Sequence, residues 1–208
     1  MLINFSEICN KYQIHPIGIL HVGACQMEEM RDYKNRGISN VIWVEANPDL
    51  VRNNKEYAER EGNILLQGLV YDENNLEMDF HLTNNLQSSS ILEFAKHSSY
   101  HPHVNVTEKI KLKTTRLDTL LGENDINPES IDFINLDIQG VELRALKSLG
   151  HYLNNIKYIY TEINTGEVYK NNDNINDIDK FLESFNFERV ETELTPFEWG
   201  DAFYIRRM

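Results

Sequence analysis

The chain has 208 residues, of which 41% are hydrophobic, and a formal net charge of −13 at pH 7. This length suits one well-buried domain and is short for two, and the negative charge repels phosphate backbones, which counts against a DNA- or RNA-binding protein. No apolar run approaches the roughly 18 residues that a membrane-spanning helix needs, and the amphipathic N-terminus lacks the apolar centre of a signal peptide.

The first third of the chain alternates between helix and strand patterns. An N-terminal helical segment, residues 1–16, contains a short predicted helix over residues 5–12. Three apolar runs predict buried strands over residues 17–24, 40–48 and 63–71. The two segments between these strands have helical spacing, over residues 25–37 and 48–62. Strands that alternate with helices in this way predict a doubly wound parallel sheet.

The middle of the chain is less regular, and the pattern returns near its end. An exposed strand over residues 76–82 precedes a long polar segment, residues 84–105. Residues 109–121 alternate like a strand and then turn helical. Strands are predicted over residues 131–137 and 156–164, and helices over residues 141–150 and 178–186. Two alternating strands close the chain, over residues 187–194 and 201–207. We therefore predict a single α/β domain over residues 1–208, with a mostly parallel sheet and an antiparallel C-terminal edge pair.

The two cysteines, Cys9 and Cys25, have no metal-ligand spacing. We interpret them as reduced thiols, because disulfides are rare in reducing compartments and common outside them. Cysteine usage therefore predicts a cytoplasmic location.

Glycine or acidic residues stand at the ends of four predicted strands: Gly23, Glu45, Asp137 and Glu162. Ligands of an open α/β sheet bind outside the carboxyl ends of its strands, so we expect these four residues at one site. Each of them alone also has an ordinary explanation as a turn or strand-end residue.

The turn after the first strand, HVGACQMEE, departs from the dinucleotide-binding pattern G-x-G-x-x-G, because Cys25 and Glu28 occupy the second and third glycine positions. Glu28 and Glu29 place negative charge where a phosphate needs a bare helix N-terminus, although both also stabilise such a helix end by themselves. A cationic ligand without phosphate fits better. S-adenosylmethionine (SAM) has an ammonium, a sulfonium and a ribose, whose hydroxyls Glu45 is suited to bind.

From about residue 17 to its end, the sequence resembles the FkbM-type class I SAM-dependent methyltransferases. The resemblance rests on the order and spacing of LHVGA, VIWVEANP, TTRLDTLL, IDFINLDIQGVELRALKSLG, YIYTEIN and FNFERVET…WGDAFYIRR. It implies a Rossmann-like fold and methyl transfer from SAM to an oxygen, commonly a hydroxyl of a sugar or another natural product. Gly23 and Ala24 would lie under the methionine end of SAM, Glu45 would hold the ribose, and Asp72 would lie near the adenine.

Several positions depart from the pattern of that family. The family often has aspartate where this chain has His21 and glycine where it has Met27. We keep His21 and Glu28 as cofactor-binding candidates; because His21 replaces an acid, the group that holds the SAM ammonium stays open, and Glu28 is the candidate substitute. The family's usual D-x-E-G-x-E becomes D-x-Q-G-x-E over residues 137–142, and the amide of Gln139 forms hydrogen bonds but cannot act as a base.

Methyl transfer depends chiefly on the alignment of oxygen, methyl carbon and sulfur. A neutral hydroxyl is a poor nucleophile, so a positioned base or a metal would assist it. The candidate bases are, in order, Asp137, Glu162 and a histidine of residues 84–105, His101. With Asn164, the two carboxylates also offer oxygen ligands of the kind that Mg²⁺ accepts, although an ordinary ligand pocket contains the same groups.

Three histidines lie within residues 84–105: His97, His101 and His103. They lack a fourth ligand at zinc spacing. Such a long loop is uncommon in a compact domain unless it is functional or disordered, so we expect it to border the acceptor pocket, with a solvated loop as the alternative. Residues 88–90 are serines that would either contact a ligand or cap a helix over residues 91–96.

The sequence thus predicts a SAM-dependent O-methyltransferase that acts on a small-molecule or glycan acceptor and not on nucleic acid. Two alternatives stay open. A nicotinamide-dependent oxidoreductase shares the sheet and Glu45, but the glycine-poor turn counts against it. A non-catalytic SAM-binding module would be compatible with His21, Met27 and Gln139.

Overall fold

A computed structural model describes residues 1–207, which form ten strands. In chain order these are β1 (Ile19–Val22), β2 (Val41–Glu45), β3 (Ile64–Gln67), β4 (Leu69–Val70), β5 (Glu77–Thr83), β6 (Val106–Thr115), β7 (Phe133–Leu136), β8 (Tyr158–Asn164), β9 (Phe187–Leu194) and β10 (Trp199–Arg206). Seven of them form one sheet in the order β3-β2-β1-β7-β8-β10-β9. The strands from β3 to β8 in that order are parallel, and β10 pairs antiparallel with β8 and β9. The predicted doubly wound sheet with an antiparallel C-terminal pair is confirmed.

The same residues form seven α-helices, and none of these is long and apolar enough to cross a membrane. They are α1 (Phe5–Lys11), α2 (Met30–Asn35), α3 (Pro48–Arg60), α4 (His97–Tyr100), α5 (Leu117–Glu123), α6 (Glu142–Ser148) and α7 (Ile175–Glu183). Helix α3 shows how the sequence starts a helix at the sheet edge. The Asn47 side chain accepts a hydrogen bond from the Asp49 amide, and Pro48 occupies the first turn.

The central strands are buried on both faces because helices cover both sides of the sheet. Successive residues of β1 contact different apolar clusters, since side chains alternate across a strand. Leu20 and Val22 pack in a cluster with residues of α5, α6 and α7. Ile19 packs in a second cluster with residues of α1, α2 and α3. These helices thus cover the two faces of the sheet, and a cavity lies at its carboxyl edge.

The helix after β1 is shorter than predicted. It begins at Met30, whereas the sequence predicted a helix over residues 25–37. Cys25 and Met27 have φ values of 43° and 58°, a left-handed conformation that interrupts a helix. The Cys25 amide instead donates to the Glu45 carboxylate at 2.8 Å, so this part of the chain forms turns at the sheet edge.

The predicted third strand is divided at Gly68. Strand β3 stays beside β2, whereas β4 pairs with β6, which also pairs with β5 in a three-stranded sheet. A Cβ atom at Gly68 would lie 2.8 Å from the Leu120 side chain and 3.1 Å from that of Thr115. The chain crosses between the two sheets at a glycine, where a larger residue would press on these two side chains, and an apolar run of residues does not indicate this division.

Residues 84–105 connect β5 to β6 along an ordered path. The predicted helix over residues 91–96 is wrong, because this stretch runs beside another segment of the chain. The amides of Ala95 and His97 both donate to the Val168 carbonyl, at 3.0 Å each. Backbone hydrogen bonds that a helix would need are thus satisfied by a distant partner.

Candidate active site

A cavity of about 460 Å³ lies at the carboxyl edge of the sheet. The ends of β1, β2, β7 and β8 contribute Gly23, Glu45, Asp137 and Glu162 to its wall. The structure therefore brings the four strand-end residues of the sequence prediction together. Residues 84–105 form the opposite wall, where the sequence predicted a border of the acceptor pocket.

Glu45 is held by backbone groups on both of its carboxylate oxygens. One oxygen accepts from the Cys25 amide at 2.8 Å, and the other accepts from the Asn47 amide at 2.7 Å. The side chain is 7% exposed, and burial raises its pKa although these backbone bonds lower it. Each oxygen keeps a lone pair, so the fixed carboxylate can accept two further hydrogen bonds from a ligand.

The turn after β1 is shaped by close backbone packing. A Cβ atom at Gly23, whose φ is +93°, would lie 1.9 Å from the Asp137 carbonyl oxygen, so only glycine fits. Ala24, predicted beside it, is buried in the apolar cluster of α1 and α2 and is not part of the cavity wall. Cys25 lines the cavity, but burial and then the nearby Glu28 raise the pKa of its thiol to about 12, which makes it a poor nucleophile.

His21 is a buried neutral side chain at the inner end of the cavity. Its ring stacks on Trp43 with centroids 4.5 Å apart, and its Nδ1 lies 3.0 Å from the Tyr33 hydroxyl. Burial lowers the pKa of His21 to about 4. Glu28 and Glu29 also line this end; Glu29 lies 3.9 Å from the His21 ring. A positively charged ligand group would therefore meet two carboxylates here.

Asp137 and Glu162 form a carboxyl pair across adjacent strands. The amide nitrogen of Gln139 donates to Asp137 at 2.7 Å and to Glu162 at 2.6 Å. Burial raises the pKa of both acids, and the pKa of Glu162 is raised well above its usual range. After burial, the nearby negative charge of Asp137 is the largest cause that raises the pKa of Glu162. Burial and mutual repulsion disfavour two charged carboxylates here, so the two acids are suited to share one proton.

Glu142 holds the turn that carries Gln139. Its carboxylate, which is fully buried, accepts from the amides of Ile138 at 3.1 Å and Gly140 at 3.0 Å. Burial raises the pKa of Glu142 to about 8. Gln139 has a φ of 60°, a left-handed conformation that this bonding stabilises. The side chain positions the turn and does not itself line the cavity.

Asn164 and Asp72 lie outside the cavity wall. Asn164 is fully buried, and neither side-chain polar atom has a hydrogen-bond partner within the described chain. Asp72 faces Arg144 at 3.4 Å. Residues 1–207 contain no group of three or more His, Cys, Asp or Glu side chains arranged to hold a metal ion.

Asp201 belongs to the site but was absent from the sequence prediction. Asp201 is 3% exposed, lines the cavity and accepts a hydrogen bond from the Tyr160 hydroxyl and from the amides of Leu2 and Ile3. The only sequence signal was an acid inside the apolar strand WGDAFYI. Its meaning depends on β10 lying beside β8, which pairs Asp201 with Glu162.

The histidines of residues 84–105 all line the outer wall of the cavity. The ring of His101, the predicted base, lies 5.1 Å from that of His97 and 5.3 Å from that of Phe197. His97 is 4% exposed and His103 is exposed. Ser90 caps no helix; its hydroxyl donates to the Gln139 carbonyl at 2.9 Å.

The strand order, the antiparallel pair and an acidic cavity at the carboxyl edge define a class I methyltransferase fold. The sequence profile of the Methyltransferase FkbM domain matches residues 21–189. The chain therefore belongs to the FkbM methyltransferase family, as the sequence resemblance predicted. Methyltransferases of this class take the methyl group from SAM, so family membership also identifies the methyl donor.

The chain is also similar in sequence or in fold to individual known proteins. The 2-O-methyltransferase NoeI of Sinorhizobium fredii is 30% identical over 109 residues, which are 49% of this chain and 44% of that protein. The match thus spans less than half of that relative. An uncharacterized protein from Listeria monocytogenes serotype 4b superposes on 100% of this chain and 69% of its own, with a TM-score of 0.53 and 10% identity. A putative tRNA methyltransferase from Streptococcus pneumoniae superposes on 100% of this chain and 72% of its own, with a TM-score of 0.51 and 12% identity. At these identities the two structures support the fold alone.

Proposed function

We propose that this chain transfers the methyl group of SAM to a hydroxyl oxygen of a sugar or glycan. Family membership supports the donor and the reaction, and the name of NoeI supports an oxygen acceptor. The observation that carries the proposal is the Asp137–Glu162 pair, which places a proton acceptor in the wall of the cavity. Transfer to a neutral hydroxyl releases a proton, and this pair is suited to receive it.

The residues of the cavity fit SAM. The Glu45 carboxylate keeps free lone pairs for the two ribose hydroxyls. Leu69, Val70 and Ile138 provide an apolar surface for the adenine ring. Glu28 and the neighbouring Glu29 supply negative charge for the ammonium, a role that the neutral His21 cannot fulfil.

When bound, SAM supplies a methyl group on a sulfonium, which is a good leaving group. The acceptor oxygen forms a bond to the methyl carbon as the carbon–sulfur bond breaks, and S-adenosylhomocysteine is released. Asp137 takes the hydroxyl proton, and the Gln139 amide links Asp137 to Glu162. Gln139 orients both acids with its amide, which explains how an amide serves at a position where the family has an acid.

The geometry gives less support to Mg²⁺ as a cofactor. The Gln139 amide nitrogen lies between the two carboxyl groups, where a bridging cation would have to bind. Asn164, the third predicted ligand, is not part of the cavity wall. We therefore propose that proton transfer proceeds through hydrogen bonds, and equal turnover with Mg²⁺ or with a chelator is the expected result.

Calorimetric titration tests the proposal first. We expect SAM and S-adenosylhomocysteine to bind and NADH to give no heat. The second measurement is transfer of radiolabelled methyl from SAM to simple methyl glycosides. Binding of NADH alone would favour the oxidoreductase alternative, and SAM binding without transfer to any hydroxylated acceptor would favour a non-catalytic SAM-binding module.

A further inference from the structure

The cavity wall carries negative but no positive side-chain charge. Six acids line it: Glu28, Glu29, Glu45, Asp137, Glu162 and Asp201. Within residues 1–207, no lysine or arginine does. A cationic donor is compatible with this field. Apart from the α-amino group of Met1, the wall offers no fixed cation within the described residues to a phosphate or carboxylate on the acceptor, so the acids disfavour such a group in this partly desolvated site.

One polar side chain of the outer wall lacks a partner. His97 is 4% exposed, lines the cavity, and its Nδ1 has no hydrogen-bond partner within the described residues. Burial, and then His101 and His103, lower the pKa of His97 to about 4, so the ring is neutral near pH 7. A neutral imidazole has one donor and one acceptor, and a buried polar atom without a partner is destabilising.

The ring of His97 is held rigidly in place. It stacks on Phe94 with centroids 4.1 Å apart and an interplanar angle of 20°, and it lies 5.3 Å from the ring of Tyr169. Its backbone amide donates to Val168 at 3.0 Å. A polar group on a fixed aromatic wall is pre-organised for a ligand, because little side-chain entropy is lost on binding.

His97 is linked to the proton-accepting pair. The Tyr169 hydroxyl donates to the Gln139 side-chain oxygen at 2.5 Å, and the Gln139 amide nitrogen contacts Asp137 and Glu162. His97, Tyr169 and the carboxyl pair thus border one part of the cavity. That part is the acceptor end, since Glu45 marks the donor end.

We propose that the acceptor end binds an uncharged, polyhydroxylated ring and that the imidazole of His97 hydrogen-bonds one of its hydroxyls. The inference rests on the proposed methyl transfer and names its substrate class and a residue that binds the acceptor. Aromatic side chains face the apolar side of such a ring, while His97 and the carboxyl pair bind its hydroxyls. Acceptors that carry phosphate or carboxylate groups on this ring are disfavoured by the acidic wall.

The first experiment compares matched acceptors. Methyl glycosides of glucose, galactose, mannose and fucose are assayed with radiolabelled SAM beside the methyl glycosides of glucuronic and galacturonic acid. We expect methylation of one or more neutral glycosides and a kcat/KM at least about 10-fold lower for the uronides. Equal or better use of the uronides would overturn the charge argument.

The second experiment uses three variants of His97 with the best neutral glycoside. His97→Phe keeps an aromatic ring and removes both nitrogens, whereas His97→Asn and His97→Gln place an amide near Nδ1 or Nε2. We expect His97→Phe to raise the KM for the glycoside about 3- to 10-fold with unchanged SAM affinity. One of the amide variants should restore most of the loss. His15→Phe, at an exposed histidine between α1 and β1, is the control.

The outcomes separate this inference from the proposed function. An unchanged KM in His97→Phe, while the wild-type chain methylates glycosides, would overturn the role of His97 and leave methyl transfer intact. Equal losses in all three variants would show that packing against Phe94 matters and not a hydrogen bond, which also overturns it. If the wild-type chain binds SAM but methylates none of the glycosides, the proposed acceptor class fails and this inference fails with it.

Discussion

The donor and acceptor ends of the cavity are held by different kinds of hydrogen bond. At the donor end, the Glu45 carboxylate is fixed by two backbone amides, those of Cys25 and Asn47. At the acceptor end, Asp137 and Glu162 are held by the side chain of Gln139, which is held in turn by Tyr169.

This difference separates what the fold imposes from what individual side chains impose. Backbone amides are present whatever residues occupy the turn, so the donor end is defined by chain geometry and one acid. The acceptor end depends on four side chains, those of Asp137, Gln139, Glu162 and Tyr169, so a single substitution changes its proton affinity and shape. We expect mutations at the donor end to change binding of SAM, and mutations at the acceptor end to change turnover.

The largest expected effect is at Asp137, the proposed proton acceptor. Asp137→Asn keeps the size of the side chain and removes its basicity, so kcat should fall about 100-fold or more. SAM affinity and the melting temperature should change little. Steady-state methyl transfer, titration calorimetry and thermal unfolding check these outcomes, with Asp125→Asn at an exposed loop as the control. Wild-type turnover in Asp137→Asn would remove its catalytic assignment.

At the donor end, Glu45→Ala should weaken SAM binding by about 1–3 kcal/mol, which corresponds to a Kd roughly 5- to 150-fold higher. The charged hydrogen bonds to the ribose are lost, and the Cys25 and Asn47 amides lose their acceptor. Calorimetric titration measures the change, and Glu56→Ala on the exposed face of α3 is the control. If Glu45→Ala changed kcat and left the SAM Kd unaltered, the division between the two ends would be wrong.

The free energy of unfolding as a function of pH tests the turn that carries Gln139, which Glu142 holds in place. Burial raises the pKa of Glu142 from 4.5 to about 8, so the folded state binds a proton that the unfolded state releases between these values. Stability contributed by this group is therefore present at low pH and lost as pH rises towards 8. The free energy of unfolding is measured with urea at about pH 5 and pH 8. In Glu142→Gln it should decrease less with rising pH than in the wild-type chain, by up to about 1 kcal/mol per pH unit. An unchanged slope would contradict the burial of a titrating acid here, and Glu108→Gln, exposed on β6, is the control.

The smallest expected effect is at Tyr169. Tyr169→Phe removes the hydroxyl that holds Gln139, so the carboxyl pair should be less well ordered and kcat should fall about 3- to 10-fold, the order of one hydrogen bond. SAM affinity should be unchanged, and Tyr57→Phe on α3 is the control. A change in the SAM Kd of Tyr169→Phe would show that the two ends are not independent.

Prediction from sequence worked best where local pattern decides structure. The buried strands β1, β2 and β7 are continuous apolar runs, and α3 has an Asn cap with Pro48 in its first turn. It was wrong where a distant contact replaced a local one. The predicted helix over residues 91–96 gives way to pairing with the segment near Val168, and the helix predicted from Cys25 is interrupted by left-handed turns.

The residues of the site were likewise predictable where local sequence decides their position. Strand-end residues such as Glu45 and Asp137 follow from the rule that ligands bind at the carboxyl edge of a parallel sheet. Asp201 was missed because its partner strand is far away in sequence, and the roles of Gln139 and His97 depend on side-chain neighbours that no spacing indicates.

The sequence by itself determined the sheet, the family and the acids at the strand ends, because strand periodicity and strand-end residues are local properties of the chain. Only the tertiary structure decided that the Gln139 amide lies between two carboxyl groups, that His97 is buried without a partner and that Asp201 joins the cavity. Burial and hydrogen bonding between segments far apart in sequence set the charge and proton affinity of each group. The acids are therefore visible in the sequence, while their protonation and pairing depend on the folded chain.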